Sequence, residues 1–202
     1  MTPTLDNLDM PPTESDIQWM SLALTWAEKA MYITTPNPRV GCVIVNSQGV
    51  LIGSGHTQAA GQAHAEIMAL QDAKQQGHAV TGATAYVTLE PCNHQGRTGP
   101  CCDALIQAGL ARVVVAEGDP NPQVAGQGIS RLRAAGVQVY LGLLGEEAHE
   151  LNIGFFSRTY LREVFARVKA VLDIYVLSTE PKFLGGPEAV NAVPDEPPPP
   201  LP

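Results

Sequence analysis

Basic residues are scarce in this 202-residue sequence, which contains 12 Lys and Arg against 20 Asp and Glu and has a formal net charge of −8. Proteins that bind a phosphate backbone need a basic surface, so this balance argues against a nucleic-acid partner. A basic pocket for one phosphate group stays compatible with it. The 45% share of hydrophobic residues is enough for one sizeable globular domain with a small appendage.

Long apolar segments are also missing. The first 14 residues contain two aspartates and three prolines, without a basic stretch or an apolar core, and therefore do not resemble a secretory signal. The longest apolar run near the C-terminus, residues 164–177, is interrupted by Arg167, Lys169 and Asp173 and is too short and too charged to span a bilayer. We therefore expect a cytoplasmic protein without a membrane partner.

The sequence has only four cysteines, at positions 42, 92, 101 and 102. In a chain without a secretory signal, cysteines more often bind metal or pack in the core than form disulfides. Cys42 falls in a hydrophobic stretch, where packing is its expected role.

The apolar pattern predicts helices that alternate with strands. Ile17, Met20, Leu24, Ala27 and Met31 recur at helical spacing and predict a helix over residues 16–31. Further helices are predicted over residues 64–76, 101–108, 128–135 and 146–158, and strands over residues 40–45, 50–55, 83–89, 112–116, 137–141 and 165–172. Such alternation is typical of layered α/β folds. We expect a three-layer α-β-α sandwich with a mixed central sheet.

One group of residues points to chemistry: His64 and Glu66 at the start of a predicted helix, and Cys92 and Cys101 downstream. Zinc prefers nitrogen and sulfur ligands in a tetrahedral arrangement, and a catalytic zinc site uses three protein ligands and leaves one position for water. One histidine and two cysteines supply such a set. Glu66 is well placed to carry the protons of that water. Taken singly, these residues could equally be a core histidine, a solvated glutamate and two buried thiols.

Four stretches of the chain together resemble one family. They are PNPRVG (36–41), GQAHAE (61–66), TLEPCNHQGRTGPCC (88–102) and GDPNPQVAG (118–126). In this order they resemble the pyrimidine deaminases of riboflavin biosynthesis, the N-terminal half of a bifunctional deaminase–reductase in the cytidine deaminase-like superfamily. The resemblance covers roughly residues 14–172. Eight residues separate Cys92 from Cys101, whereas the general zinc-deaminase signature has two.

The resemblance implies one zinc ion per chain, bound by His64, Cys92 and Cys101, with Glu66 as the catalytic proton carrier. Adjacent helical residues point about 100° apart, so only one of Cys101 and Cys102 can easily face a metal, and the resemblance selects Cys101. The implied substrate is 2,5-diamino-6-ribosylamino-4(3H)-pyrimidinone 5′-phosphate, which exchanges its 2-amino group for a carbonyl.

Substrate contacts are implied at six further positions, near the ring, the ribose or the phosphate: Asn37, His56, His94, Arg97, Asp119 and Asn121. Arg97 suits a phosphate because its guanidinium donates two parallel hydrogen bonds, although a solvated loop charge is the alternative. Asp119 and Asn121 belong to an Asp-Pro-Asn-Pro sequence that favours turns in any case.

The C-terminal part departs from the family. Residues 165–172 resemble the opening of the reductase domain, whereas residues 173–186 resemble its far end. We therefore expect a flexible leader (1–13), a zinc deaminase domain (14–150), a connector helix with a reductase remnant (151–186) and a disordered Pro-rich tail (187–202). About thirty residues cannot build a dinucleotide-binding domain, so NADPH is not expected as a cofactor.

Two alternatives stay open at this point. One is a deaminase of another nucleobase or nucleoside, and the other is an inactive zinc-stabilised remnant of the bifunctional enzyme. A structural zinc site needs a fourth protein ligand, which separates the second alternative from catalysis. The resemblance also leaves open a homo-oligomer and a separate reductase as partners.

Overall fold

A computed structural model describes residues 11–31, 33–34, 37–93, 99–121, 125–154, 157, 161, 165 and 168–169. The chain divides into two compact units, Met1–Tyr160 and Leu161–Pro202. Most of the predicted leader, the whole predicted tail, and the candidate residues His94 and Arg97 lie outside the described residues. Within the described residues, no helix has the length and apolarity that a membrane crossing requires.

A five-stranded sheet forms the centre of the first unit, in the order β2-β1-β3-β4-β5. The strands are β1 (Gly41–Val45), β2 (Leu51–His56), β3 (Thr84–Leu89), β4 (Arg112–Glu117) and β5 (Gln138–Leu141). Strand β1 pairs antiparallel with β2 and with β3, whereas the β3–β4 and β4–β5 pairs are parallel. The predicted mixed sheet is therefore confirmed.

Helices cover both faces of this sheet. They are α1 (Glu14–Glu28), α2 (Ala65–Gln75), α3 (Cys101–Gln107), α4 (Gln127–Ala134) and α5 (residues 145–154). Alternate strand residues point to opposite faces, and two separate apolar clusters result. Ile44 and Val113 belong to the cluster with α2, α3 and α4, whereas Val43 and Val114 belong to the cluster with α1 and α5. The predicted three-layer sandwich is confirmed.

A buried carboxylate joins helix α1 to the sheet. Asp16 accepts hydrogen bonds from the Thr13 backbone N–H at 2.7 Å and from the Tyr86 hydroxyl at 2.7 Å. Arg112 donates two more from its guanidinium, at 2.7 and 3.3 Å. Burial alone raises the pKa of Asp16, but these donors, Arg112 foremost, outweigh burial and lower the pKa to about 2. The Thr13–Asp16 capping box thus also anchors α1 on β3 and β4.

The strand predicted over residues 165–172 is wrong, because Phe165, Val168 and Lys169 are helical. A strand is stabilised by neighbouring strands, whereas a helix satisfies its backbone hydrogen bonds internally. The segment also contains Ala, Arg and Lys, which favour a helix locally. Leu161, Phe165 and Val168 are exposed and follow helical spacing.

The domain boundary predicted at residue 150 lies inside helix α5. Asn152 of this helix is buried, and its side chain both accepts from the Arg39 backbone N–H at 2.8 Å and donates to the Arg39 carbonyl at 2.9 Å. Arg39 in turn donates from its guanidinium to the Leu151 carbonyl at 3.1 Å. Residues 151 and 152 therefore belong structurally to the sandwich, and they hold the segment that precedes β1.

Candidate metal centre and active site

Three side chains from separate elements meet beyond the end of the central strand β3. His64 is the N-cap residue of α2, Cys92 follows the end of β3, and Cys101 is the first residue of α3. Their candidate ligand atoms all lie within 4.8 Å of one another. The His64 Nδ1 atom is 3.6 Å from the Cys92 sulfur and 3.4 Å from the Cys101 sulfur.

These distances fit a tetrahedral zinc ion. With Zn–S bonds of about 2.3 Å and Zn–N bonds of about 2.05 Å, the nitrogen and sulfur ligands of a tetrahedron lie roughly 3.6 Å apart. The donor set of one imidazole and two thiols is also one that zinc favours. Among the described residues the group has three members, which is the number that a catalytic site uses.

The pKa values of the two thiols are shifted in opposite directions. Hydrogen bonding to the Cys101 thiol, to His64 and to the Cys101 backbone N–H lowers the pKa of Cys92 against the opposing effect of burial. The same hydrogen bond to Cys92, together with burial, raises the pKa of Cys101. A metal cation binds thiolates, so loading this site releases protons and becomes more favourable as pH rises.

Glu66 lies next to this cluster, in the first turn of α2, with only 3% of its surface exposed. Burial, together with the negative charge of Cys92, raises the pKa of Glu66 to about 7. Hydrogen bonding to the Cys101 thiol and attraction to His64 oppose this rise in the pKa. A carboxyl in such surroundings exchanges protons readily near neutral pH.

A pocket of about 250 Å³ opens onto these residues. Its wall consists of residues from the segment before β1, the ends of β2 and β3, the start of α2 and the loop after β4: Asn37, Pro38, Val40, Thr57, His64, Glu66, Leu89, Glu90, Cys92 and Asp119. A small pocket in which apolar side chains surround several convergent polar groups is typical of a site for a small molecule.

Residues 13–117 match the family described as the cytidine and deoxycytidylate deaminase zinc-binding region. The chain belongs to this family. This match confirms the superfamily that the four motifs predict. The matched residues include the whole metal cluster, His64, Cys92 and Cys101, and also Glu66. A zinc-dependent hydrolytic deaminase is the kind of enzyme that this family comprises.

Within the deaminase family, the chain is similar to proteins of riboflavin biosynthesis, and three such relatives show this similarity. The chain is 49% identical over 178 residues to the riboflavin biosynthesis protein RibD of Escherichia coli (strain K12), covering 86% of this chain and 47% of that protein. It is 48% identical over 144 residues to the diaminohydroxyphosphoribosylamino-pyrimidine deaminase of Buchnera aphidicola subsp. Acyrthosiphon pisum, covering 71% of this chain and 95% of that protein.

The third relative is a solved structure of Acinetobacter baumannii RibD. It superposes with a TM-score of 0.68 at 49% identity, over 72% of this chain and 40% of that one. The chain thus spans less than half the length of the RibD relatives, but nearly the whole length of the Buchnera deaminase.

Of the predicted substrate contacts in the described residues, Asn37 and Asp119 line the pocket. The Asn121 backbone N–H donates to the Asp119 carboxylate at 2.8 Å, so Asn121 forms part of the turn that carries Asp119. His56 is not among the residues that line this deaminase pocket. Its ring stacks on Trp26 of α1, with the ring centroids 6.1 Å apart.

Thr57, rather than the predicted contact His56, lines the pocket at this point. Thr57 directly follows β2, and its backbone N–H donates to the Val40 carbonyl at 2.9 Å, which extends the pairing with the segment before β1. Successive residues of an extended chain point to opposite sides. The alternation along β2 was the signal in the sequence that could have separated these two neighbours.

Glu90 is a second residue of the site that sequence reasoning missed. It is 7% exposed, and its carboxylate accepts hydrogen bonds from four backbone N–H groups of the loop after β4 and the start of α4. The sequence shows only that Glu90 directly precedes Pro91 and Cys92. Its partners lie 29 to 39 residues away along the chain, so no local pattern reveals them.

Proposed function

We propose that this chain hydrolyses the bond between C2 and its amino group in 2,5-diamino-6-ribosylamino-4(3H)-pyrimidinone 5′-phosphate. The products are 5-amino-6-(5-phosphoribosylamino)uracil and ammonia. The observation that carries the proposal is the His64, Cys92 and Cys101 cluster beside a buried Glu66 in one small pocket. The names of the RibD and Buchnera relatives support the riboflavin-pathway pyrimidine as the substrate.

His64, Cys92 and Cys101 would hold one zinc ion per chain. When bound, zinc supplies a Lewis acid that makes water nucleophilic at neutral pH. The two cysteines provide the negative charge that balances the cation, and His64 supplies the nitrogen donor. Because the described residues offer three clustered ligands rather than four, the set supports a catalytic site over a purely structural one.

Glu66 carries the protons of the reaction. Its carboxylate removes a proton from the attacking water and delivers it to a ring nitrogen next to the amino-bearing carbon. It then passes the second proton of that water to the departing amino group, which leaves as ammonia. One carboxylate thus serves as base and as acid, which is ordinary general acid–base catalysis. The first turn of α2 fixes Glu66 two residues from His64 and excludes bulk water from it.

The remaining pocket residues bind and orient the substrate. Asn37 and Asp119 lie in the pocket wall and suit the ring and the ribose hydroxyls, with Asn121 bracing Asp119. His94 and Arg97 remain our candidates for the 5′-phosphate, and His56 remains a predicted contact. Thr57, which also lines the pocket, adds one polar residue to this set.

Ammonia release from the phosphorylated pyrimidine tests the proposal directly. We expect turnover with this substrate, loss of turnover with a chelator, and little or none with its unphosphorylated form, cytidine or guanine. Preferential turnover of a free nucleoside would favour the alternative of a different deaminase. Zinc binding without ammonia release from any of these compounds would favour an inactive zinc-stabilised remnant.

The Glu66→Gln variant is the matched control for chemistry. It keeps the size of the side chain and leaves His64, Cys92 and Cys101 in place, so zinc content should stay near one per chain. Turnover should fall by at least about a hundredfold, in line with the usual contribution of general acid–base catalysis. Near-normal turnover would remove Glu66 from its role.

A second assay, of NADPH oxidation, tests the predicted absence of a reductase activity. NADPH oxidation in the presence of the deaminated product would contradict that prediction. A homo-oligomer and a separate reductase stay predictions, which sedimentation and reconstitution of the two steps would check.

A further inference from the structure

The carboxylate of Glu90 accepts hydrogen bonds from four backbone N–H groups, and we call this arrangement of Glu90 with Asp119, Gly126, Gly128 and Ile129 the clasp. Its Oε1 atom accepts from the N–H groups of Gly128 at 2.8 Å and Ile129 at 3.3 Å. Its Oε2 atom accepts from the N–H groups of Gly126 at 2.9 Å and Asp119 at 3.1 Å. Hydrogen bonds to a charged acceptor are roughly twice as strong as neutral ones, so this clasp is a strong local constraint.

The clasp connects two walls of the pocket. Glu90 lies at the end of β3, two residues before the predicted ligand Cys92, whereas Asp119 lies in the loop after β4. Both residues line the pocket, together with His64 and Glu66. The clasp therefore links the Asp119 backbone directly to the segment that carries Cys92.

The packing under the clasp leaves no slack. A Cβ atom on Gly128 would collide with the Pro91 carbonyl and would come within 3.2 Å of the Cys102 sulfur. The Cys102 thiol donates to that same Pro91 carbonyl at 3.2 Å. The start of α4 thus packs closely against the segment that carries Cys92. Cys102 is buried in this contact and lies outside the metal cluster.

We infer that Glu90 is a positioning residue for the deamination, because its carboxylate holds Asp119 in the pocket wall at a fixed place relative to Glu66 and the metal ligands. This inference rests on the proposed function, in which Asp119 binds the ribose. Glu90 itself transfers no proton and need not touch the substrate. Since the ribose lies away from the amino-bearing carbon, loss of the clasp acts on substrate binding more than on the chemical step.

The Glu90→Gln variant breaks half of the clasp. A glutamine amide has one acceptor oxygen, and its NH₂ group cannot accept from a backbone N–H. The side chain therefore keeps either the Asp119 and Gly126 pair or the Gly128 and Ile129 pair, but not both. Glu90→Asp keeps both oxygens on a side chain that is one methylene shorter, and serves as the milder variant if Glu90→Gln does not fold.

Amide hydrogen exchange measures the clasp without any turnover. We expect the amides of Asp119, Gly126, Gly128 and Ile129 to exchange slowly in the wild-type chain, and at least about tenfold faster in at least one of the two pairs in Glu90→Gln. Zinc content should remain that of the wild type. Unchanged protection of all four amides would overturn the inference.

Steady-state kinetics then test the role. With the phosphorylated pyrimidine, Glu90→Gln should raise KM by about tenfold or more and change kcat by less than about threefold. In an Asp119→Ala background, Glu90→Gln should add little to KM, because the contact that it positions is already gone. Fully additive effects on KM, or a loss confined to kcat, would overturn the positioning role.

Asp16→Asn is the matched control for these measurements, because it also turns a buried, multiply hydrogen-bonded carboxylate into an amide, but away from the pocket. It should lower the melting temperature without changing KM, whereas a KM rise equal to that of Glu90→Gln would overturn the assignment. A wild-type chain that releases no ammonia would remove the proposed function and the inference that rests on it. A wild-type chain that does, with KM unchanged in Glu90→Gln, would remove the positioning role alone.

Discussion

The substitution Asp16→Asn probes the junction between helix α1 and the sheet through its dependence on pH. In the folded chain the pKa of Asp16 is about 2, because the hydrogen bonds from Arg112, Thr13 and Tyr86 outweigh the effect of burial, whereas its ordinary value is 3.8. A difference of this size corresponds to roughly 2.5 kcal/mol of stability at neutral pH. Asp16 is 2% exposed, but its partner Arg112 is 17% exposed, so solvent screens the ion pair in part and this figure is an upper limit.

The sign of the effect follows from the lowered pKa. The carboxyl is charged more readily in the folded chain than in the unfolded one, so its contribution is fully present above pH 3.8 and is lost as pH falls through about 2. At pH 7 the variant also leaves the Arg112 guanidinium, 17% exposed, without its carboxylate. We therefore expect Asp16→Asn to cost about 2 to 4 kcal/mol at pH 7.

Urea unfolding of both proteins between pH 7 and pH 2 provides the measurement. The difference in unfolding free energy between wild type and variant should shrink by roughly 2 kcal/mol across the acid range. Both proteins lose bound metal alike as their thiolates take up protons, so the difference isolates Asp16. A difference that is below about 0.5 kcal/mol at pH 7, or that does not change with pH, would refute the reasoning.

A control comes from an ion pair on the surface. Asp103 pairs with Arg131, but their side chains are 30% and 49% exposed. Exposed pairs contribute little, typically less than about 1 kcal/mol, because water and salt screen them. Asp103→Asn should therefore change stability at pH 7 only slightly.

Two further substitutions test how neighbouring elements are held. Asn152→Ala removes both hydrogen bonds to the Arg39 backbone and should cost about 2 kcal/mol in urea unfolding; an unchanged midpoint would mean that α5 does not hold the segment before β1. Gly41→Ala places a methyl group against the Ala23 carbonyl of α1 and should cost about 3 kcal/mol by thermal melting, whereas Gly154→Ala, where a Cβ meets nothing within 4 Å, should be close to neutral.

Local patterns in the sequence were sufficient for the elements of the sandwich, and the resemblance of four motifs to a known family supplied the metal cluster. Helix and strand periodicities are short-range properties, and they predict the α1 helix and the mixed sandwich correctly. The ordered motifs around His64, Glu66, Cys92 and Cys101 predict the family, because a zinc site demands particular donors at the ends of particular elements. These features need no knowledge of distant contacts.

Only the tertiary structure decided which residues brace and complete the site. Glu90 meets amides 29 to 39 residues further on, and Asn152 meets Arg39 across 113 residues, so neither contact leaves a periodic trace. Thr57 lines the pocket and His56 does not, because the side of β2 that faces α2 decides which of the two side chains reaches the pocket. The helix at Phe165 reflects the same limit, since an apolar segment becomes a strand only where another strand lies beside it.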